Sequence, residues 1–241
     1  MEEPEFEETM KGDREKILAR IREALVVPTP EPHEGPGHSG GQGNSFRGWL
    51  PPVGDAVQEQ VSLFAKQSEV LKTQFVECDS LEAVASRLVE IGRENGWRRL
   101  AWHPGVLNTP LVEALVRAAA GLDLVQIEAG YDPDALEACD AGVTECEVLV
   151  AQTGSVMVSA LSSGGRALSV LPHHHVVVAR RSQMVADLAE AYEQVEKRYA
   201  GRLPSFLSFI SGPSRTGDIE RILVLGAHGP KKLTVFLVAD T

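Results

Sequence analysis

The feature that most constrains the fold is a regular alternation of helices and strands that begins at Asp55. Helical segments repeat apolar residues every three or four positions, and strand segments are short apolar runs between turn residues. Strands separated by helices of this length are joined by crossover connections, so neighbouring strands run parallel. The pattern predicts helices through 57–65, from Asp79 or Ser80 to Gly96, and over 111–120. It predicts strands at 73–78, 99–102 and 122–127.

The second half of the chain is richer in strands. Segments 146–151 and 155–159 are separated by Gln152-Thr-Gly154, which is too short for a helix, so a hairpin is predicted. A buried strand at 176–179 precedes a helix from Gln183 to about Tyr199. Further strands are predicted at 206–210, 222–225 and 233–238. We therefore expect residues 55–241 to form one three-layer α/β domain with a mixed, largely parallel sheet.

Residues 1–54 have a different character. Asp13 is suited to cap a helix whose apolar stripe is narrow, formed by Ile17, Leu18, Ile21, Ala24 and Leu25. Residues 28–54 are rich in Pro, Gly, Ser and His, which predicts a flexible or extended linker. Two interpretations of the helix remain open: it packs against the domain, or it binds a partner.

Composition and charge exclude several classes of function. A net charge of -11 without a Lys/Arg cluster argues against nucleic-acid binding. No segment approaches the roughly 18 to 20 continuous apolar residues of a membrane helix. The acidic N-terminus is unlike a secretory signal, so we expect a cytoplasmic protein without membrane insertion. The chain has 3 cysteines, whereas a conventional iron–sulfur cluster needs about four. We therefore expect reduced thiols and no metal or cofactor bound by this chain alone.

Familiar nucleotide-binding and nucleophile motifs are absent from the sequence. There is no Gly-x-Gly-x-x-Gly after an early strand, no Gly-x-x-x-x-Gly-Lys-Ser/Thr and no Gly-x-Ser-x-Gly. Four polar segments next to predicted strands remain as candidate ligand sites: 152–155, 162–166, 171–175 and 211–220. Their candidate ligand-binding residues are Thr153, Gly154, Gly164, Gly165, Arg166, His175, Ser211, Gly212, Ser214, Arg215, Thr216, Asp218 and Glu220.

Two of these segments offer an anion site and a histidine. In 162–166, glycines let backbone amides approach an oxyanion, and Arg166 can bind a carboxylate or phosphate with two hydrogen bonds; the alternative is an ordinary turn. His173 and His175 would share a strand face, but no third ligand has a diagnostic metal spacing. A hydrogen-bonded histidine at a strand entrance is therefore favoured, with His175 kept as a cavity residue. A hairpin loop is likewise favoured over a catalytic role for His228.

The segment 211–220 follows a strand directly and is too polar to be one. If Ser214 caps a short helix, its first amides, with Arg215 and the Thr216 hydroxyl, could hold an anion. Asp218 and Glu220 could then accept hydrogen bonds from a ligand or carry protons. The alternative is a capping turn in which Arg215 pairs with one of these carboxylates. The spacing alone leaves both interpretations open.

These motifs, taken in order, resemble the lactate utilization protein C family (LutC/YkgG-like proteins), which is built on the LUD domain. The matching stretches are Gly142-Val-Thr with Thr153-Gly-Ser, Leu171-Pro with His175, Ser211-Gly-Pro-Ser-Arg-Thr-Gly-Asp-Ile-Glu220, and Leu223-Val-Leu-Gly-Ala-His-Gly-Pro230. The likeness covers roughly residues 55–241. It implies a NagB/RpiA/CoA transferase-like α/β fold. It also implies work beside two iron–sulfur partner proteins in oxidising L-lactate to pyruvate, with the clusters in those partners.

Two positions depart from the family pattern. Gln152 precedes Thr153 where the family often has an acidic residue, and a carboxamide cannot act as a carboxylate nucleophile or general base. This difference weakens any analogy to the covalent chemistry of CoA transferases. His173 and His174 replace the more usual proline and aliphatic residue before His175.

The leading hypothesis from the sequence is an accessory subunit that binds a small anionic metabolite in an L-lactate utilization system. One alternative is a stand-alone enzyme for phosphorylated or CoA-linked small molecules, in which Arg166 and Arg215 bind the anion. In that case Asp218 or Glu220 transfers a proton. The other alternative is a regulatory module that binds a metabolite and docks partners through the first helix. The motifs leave open whether the chain is itself catalytic.

Overall fold

The computed structural model describes residues 15–23, 50–118, 121–127, 132–217, 223–226 and 228–240. The chain divides into two compact units, Met1–Gly48 and Trp49–Thr241. In the first unit, residues 15–23 are helical (α1), within the segment where the sequence predicts a helix. Most of the linker predicted at 28–54 lies outside the described residues.

The second unit is an alternating series of helices and strands. Its helices are α2 (Val57–Leu71), α3 (Leu81–Asn95), α4 (Asn108–Arg117), α5 (Pro133–Glu137) and α6 (Leu188–Tyr199). Its strands are β1 (Gln74–Cys78), β2 (Arg99–Trp102), β3 (Asp123–Gln126), β4 (Ala141–Thr144), β5 (Val148–Val150), β6 (Ser155–Ser159), β7 (His174–Arg180), β8 (Met184–Val185), β9 (Leu207–Ile210), β10 (Arg215–Gly217), β11 (Leu223–Leu225) and β12 (Lys232–Val238). Among the described residues, no helix has the length and apolar character needed to cross a membrane.

Local sequence explains where the helices begin and end, as α3 illustrates. The Ser80 hydroxyl accepts a hydrogen bond of 3.2 Å from the Ala83 amide, which pairs one of the free amides of the first turn. Gly96 ends the helix in the left-handed conformation, with φ of 67°. Between these caps, apolar residues three or four positions apart form one buried face: Val84, Leu88 and Ile91.

A six-stranded parallel sheet forms the centre of this unit. Its strand order is β1-β12-β7-β4-β2-β3, and every neighbouring pair is parallel. Helices α3 and α4 cover one face, where Val176, Val178 and Phe236 share a buried cluster with Leu88 and Leu111. The predicted α/β class with a largely parallel sheet is therefore confirmed.

A second sheet is mixed and has the order β8-β5-β6-β9, in which β8 pairs in parallel with β5 and the other pairs are antiparallel. The predicted hairpin is present as the antiparallel pair of β5 and β6. Leu149 and Val156 of this sheet share a buried cluster with Val177 and Leu237 of the parallel sheet and with Phe64 of α2. Helix α6 packs on the other face. The described strands, expected from the sequence in one mixed sheet, are thus divided between two stacked sheets and a separate two-stranded sheet of β10 and β11. The stacking buries both faces of β5 and β6.

The helix predicted from Gln183 begins later than expected. Arg181–Gln183 forms a 3-10 turn, and β8 follows and pairs in parallel with β5. Helix α6 begins at Leu188, where the Asp187 side chain accepts a hydrogen bond of 3.0 Å from the Glu190 amide. Met184 and Val185 in β8 are buried apolar residues, and two adjacent apolar residues are compatible with the periodicity of a helix or of a strand. Pairing with β5 therefore decides their conformation.

Candidate functional site

A cavity of about 250 Å³ lies at the amino ends of β7 and β12, and we name it the His175 cavity. Strand β9 and the loops 211–214 and 228–230 complete its walls. Its lining residues are Ser169, Val170, His175, Phe206, Ser208, Phe209, Ile210, Ser211, Gly212, Pro213, Ser214, His228, Gly229, Pro230 and Leu233. Four of the predicted ligand-binding residues meet here: His175, Ser211, Gly212 and Ser214.

His175 is the most deeply buried polar residue of this cavity, with 1% of its surface exposed. Its Nε2 atom lies 2.8 Å from the Thr144 hydroxyl on the neighbouring strand β4. Its Nδ1 atom is buried and has no hydrogen-bond partner in the described part of the chain. Burial, and to a smaller extent His174, lowers the pKa of His175 to about 3, so the imidazole is neutral at physiological pH.

Ser169 gives the cavity a second buried polar atom without a partner. The residue is 3% exposed, and its hydroxyl forms no hydrogen bond within the described residues. A buried polar group that stays unpaired costs about 1–3 kcal/mol. Ser169 and His175 both line this cavity, so a ligand that bonded to the Ser169 hydroxyl and to the His175 Nδ1 atom would offset two such penalties. The remaining wall is largely apolar and includes Phe206, Phe209 and Ile210.

The segment after β9 is positioned by backbone geometry. Gly212 adopts φ of 91°, and a Cβ atom there would lie 2.8 Å from the carbonyl oxygen of Leu71, so a larger residue does not fit. The Ser214 amide donates to the Pro230 carbonyl at 2.9 Å, and the Gly226 amide donates to the Ser214 carbonyl at 3.0 Å. These bonds fix the loop between β9 and β10 over the cavity.

The short helix that one of the two interpretations placed after Ser214 does not form. Residues Arg215–Gly217 form β10, which pairs antiparallel with β11. Since this backbone belongs to a hairpin, it presents no helix N-terminus to an anion. Thr216 lies within β10, and Asp218 and Glu220 lie outside the described residues.

Arg215 lines a different cavity of about 670 Å³, which we name the basic cavity. Its lining residues are Lys72, Gln74, Glu94, Asn95, His174, Pro213, Arg215, Lys231, Lys232, Leu233 and Thr234. Pro213 and Leu233 belong to both cavities. The side chains of His174 and His175, which are neighbours on β7, thus serve two separate cavities.

The predicted residues Thr153 and Gly154 do not line the His175 cavity. Gly154 has φ of 63° and packs against α2, where a Cβ atom would lie 2.7 Å from the Cβ of Gln67. Their segment reaches the cavity wall through Ser155, whose hydroxyl lies 2.7 Å from that of Ser211. The glycine is therefore explained by close packing on a helix.

Gly164, Gly165 and Arg166 also lie apart from the cavity. A Cβ atom on Gly164 would lie 2.5 Å from the Cβ of His103, and the Gly165 amide donates to the Ala160 carbonyl at 2.8 Å. The exposed Arg166 guanidinium donates to the Ser205 carbonyl at 2.9 Å. The segment is a packed turn, and neither it nor segment 152–155 contributes a lining residue to the His175 cavity.

Sequence reasoning did not select Ser169, which lines the His175 cavity, or Thr144, which bonds to His175. Thr144 ends the Gly142-Val-Thr motif on β4, which pairs with β7, the strand of His175. This motif was the signal that could have identified Thr144. Ser169 lies in an irregular segment without a motif. Within the described ranges, no three His, Cys, Asp or Glu side chains cluster as metal ligands. The free cysteines Cys139 and Cys146 are buried, and burial raises the pKa of both thiols.

The family model of the LUD domain matches residues 61–238. The chain belongs to the LUD domain family. The resemblance to the lactate utilization protein C family is also confirmed by individual relatives that carry this name. Lactate utilization protein C of Geobacillus kaustophilus is 26% identical over 80% of this chain and 83% of its own length. That of Shouchella clausii is 37% identical over 43% of this chain, an alignment that spans 46% of the relative.

A solved structure shares the fold of this LUD domain protein. It is a DUF162 family protein from Deinococcus radiodurans, with a TM-score of 0.57 and 23% sequence identity. The superposition covers 76% of this chain and 98% of that protein. At this level of identity the likeness supports the fold alone.

Proposed function

We propose that this LUD domain protein is an accessory subunit of an L-lactate utilization system and binds a small metabolite in the His175 cavity. The observation that carries the proposal is that two residues lining one cavity, His175 and Ser169, each have a buried polar atom without a partner among the described residues. The name shared by its relatives, lactate utilization protein C, supplies the metabolic context.

The size of the His175 cavity favours a small ligand. Its volume of about 250 Å³ lies below the ~300–1,000 Å³ that is usual for drug-sized ligands. A carboxylate in this cavity would accept a hydrogen bond from His175 Nδ1–H, in the tautomer where the Thr144 hydroxyl donates to Nε2. The Ser169 hydroxyl would donate to a second oxygen of the same ligand. A 2-hydroxy or 2-oxo acid has such a pair of acceptors, since an oxygen on its second carbon lies next to the carboxylate.

The described lining of the His175 cavity contains no lysine or arginine. A carboxylate there would be held by hydroxyl and imidazole groups rather than by a guanidinium fork, which gives weaker binding. We therefore expect moderate affinity, suited to a metabolite that is present at high concentration. Moderate affinity fits a subunit that senses its ligand or transfers it to another protein.

The oxidation of L-lactate to pyruvate releases a pair of electrons that some redox group must accept. In our proposal, iron–sulfur partner proteins carry these electrons. The chain has 3 cysteines, fewer than the roughly four ligands of a conventional cluster. Buried Cys139 and Cys146 have raised pKa values, which disfavours the thiolate that metal binding needs.

Deletion of the gene in its native host tests the proposal directly. We expect slow or no growth of the deletion strain on L-lactate, normal growth on glucose, and restored growth on L-lactate after complementation with the wild-type gene. Co-purification of the complementing protein should also recover iron–sulfur proteins. Undiminished growth of the deletion strain on L-lactate, with no second copy of the gene present, would contradict the proposal.

A further inference from the structure

The basic cavity concentrates positive charge in a protein whose net charge is -11. Four cationic side chains line it, Lys72, Arg215, Lys231 and Lys232, against the one carboxylate of Glu94. None of the four forms a salt bridge with a described carboxylate. Within the part of the chain that the structure describes, these four charges are not neutralised by an ion pair.

Neutral acceptors hold two of these cations in place. The Arg215 guanidinium donates to the carbonyl of Leu71, the last residue of α2, where the helix dipole favours a positive charge. The Lys232 ammonium donates to the side-chain oxygen of Asn95 at the end of α3. A guanidinium has five N–H donors and an ammonium three, so each keeps donors free for an anion.

His174 provides an independent indication of a ligand. It is 4% exposed and lines the basic cavity, with its ring edge-on to Trp97 at 5.0 Å between centroids. Its Nε2 atom lies 2.8 Å from the Thr234 hydroxyl, whereas Nδ1 is buried without a partner in the described chain. Unpaired buried nitrogens of this kind are rare, and here the nitrogen belongs to a cationic cavity.

A short hydrogen-bonded chain can set the tautomer of His174. The Thr234 hydroxyl donates a hydrogen bond of 3.1 Å to the side-chain amide oxygen of Gln74. Because a hydroxyl has one proton, Thr234 then accepts from His174 Nε2–H, and Nδ1 carries a lone pair. Nδ1 is therefore a buried acceptor beside the four cations, suited to a hydroxyl group of a ligand.

We infer that the basic cavity is a second ligand site, which binds the phosphate group of a phosphorylated small molecule. Lys72, Arg215, Lys231 and Lys232 supply the positive charge, and His174 Nδ1 supplies a buried neutral acceptor for a hydroxyl group of the same ligand. The volume of about 670 Å³ accommodates a ligand of nucleotide or sugar phosphate size. This inference does not rest on the proposed function of the His175 cavity.

The number and kind of cations favour phosphate over a carboxylate. A carboxylate is planar and carries one charge, so a single arginine guanidinium can bind it with two parallel hydrogen bonds. Lysine ammonium groups are point charges without a fork, and they suit a tetrahedral group with a charge near −2 and three acceptor oxygens. Three of the four cations in this cavity are lysines.

Isothermal titration calorimetry of the full-length protein with pyrophosphate tests this inference. We expect binding at low ionic strength that weakens as salt is added. The double variant Lys231→Ala/Lys232→Ala should bind about tenfold more weakly or worse, the change expected for the loss of a charge-assisted hydrogen bond. Lys197→Ala is the matched control, because Lys197 is an exposed lysine on α6 that pairs with Glu193.

Three results would overturn the inference: no heat of binding with pyrophosphate, equal weakening by Lys197→Ala, or equally tight binding of citrate and L-lactate. Parallel titrations with inorganic phosphate, a sugar phosphate and ADP identify the source of the phosphate group, and tightest binding of any of them supports the site. The imidazole signals of His174 give a second readout by NMR. The sugar phosphate should shift them, and unchanged signals at saturation would contradict a role for Nδ1.

Discussion

The Thr144 hydroxyl lies 2.8 Å from His175 Nε2, and this bond joins the adjacent parallel strands β4 and β7 beside the His175 cavity. Thr144 and His175 are 0% and 1% exposed, so water cannot replace either partner. The bond orients the imidazole and determines which ring nitrogen carries the proton. Thr144 thereby controls what the cavity offers to a ligand through Nδ1.

Thr144→Val should lower the free energy of unfolding by about 1–3 kcal/mol, because the variant leaves both nitrogens of a buried imidazole unpaired. Thr144→Ser retains the hydroxyl and loses only a methyl group, so it should cost about 1 kcal/mol. Urea denaturation at neutral pH measures both values. Equal destabilisation by the two variants would show that the hydrogen bond contributes nothing.

The two buried histidines should make the protein sensitive to acid. Burial, with a smaller contribution from Lys232, lowers the pKa of His174 to about 4, and burial lowers that of His175 to about 3. Below pH 6.5, the ordinary pKa of histidine, these two side chains are protonated in the unfolded chain but stay neutral in the folded chain. Acid therefore favours unfolding. Stability should therefore fall as the pH drops from 6.5 towards 4.

His174→Gln isolates one of these histidines. The slope of the free energy of unfolding against pH should decrease by up to about 1.4 kcal/mol per pH unit in this range, since each histidine contributes at most one proton. Urea denaturation at several pH values gives the slope for the variant and the wild type. An unchanged slope would mean that folded His174 is protonated as easily as an unfolded histidine.

Lys72 occupies a backbone position where glycine is usual. It caps α2 with φ of 65°, and Ala200 caps α6 with φ of 47°. Because left-handed φ values are unfavourable for residues with a Cβ, Lys72→Gly and Ala200→Gly should each stabilise the protein by about 1 kcal/mol. Lys72→Gly should also weaken pyrophosphate binding, whereas Ala200→Gly should not. Thermal unfolding and calorimetry on the two variants check this, and undiminished pyrophosphate binding by Lys72→Gly would exclude Lys72 from the site.

Glu147 is a buried carboxylate that the structure uses for stability. It is 2% exposed and accepts hydrogen bonds from the Ser159 hydroxyl at 2.5 Å and the Tyr199 hydroxyl at 2.7 Å, and from the Arg198 guanidinium. Glu147→Ala should lower the free energy of unfolding by about 2–4 kcal/mol, because it leaves these donors without their acceptor. Glu147→Gln keeps an acceptor oxygen and should cost less. If chemical denaturation gives the same loss for both, one acceptor oxygen and the size of the side chain contribute nothing, and the stabilisation depends on the charged carboxylate with both its oxygens.

Much of the fold could be predicted from the sequence because local patterns determine it. The spacing of Val84, Leu88 and Ile91, with Ser80 and Gly96 as caps, predicts α3 close to its observed bounds. The short connection Gln152-Thr-Gly154 similarly predicts the hairpin of β5 and β6. These elements depend on interactions between residues that are near in sequence.

Features that depend on distant partners could not be predicted in the same way. Serine is a residue type that often caps helices, but the backbone hydrogen bonds of Ser214 to Pro230 and Gly226 place it before a strand. Gly154 and Gly164 suggest anion-binding loops, yet each is required by a neighbouring side chain that packs against it. The stacking of the four-stranded sheet on the parallel sheet buries both faces of β5, and no local pattern encodes this arrangement.

The central claim is that a ligand in the His175 cavity is required for lactate utilization. Growth on L-lactate of the deletion strain complemented with Ser169→Leu tests it most directly, because leucine fills the cavity and replaces an unpaired hydroxyl. Ser86→Leu is the control, since Ser86 is exposed on α3, away from the cavity. We predict that the Ser169→Leu protein is as abundant and as thermally stable as the wild type, yet fails to restore growth on L-lactate, whereas Ser86→Leu restores it. Wild-type growth with the cavity filled would contradict the claim.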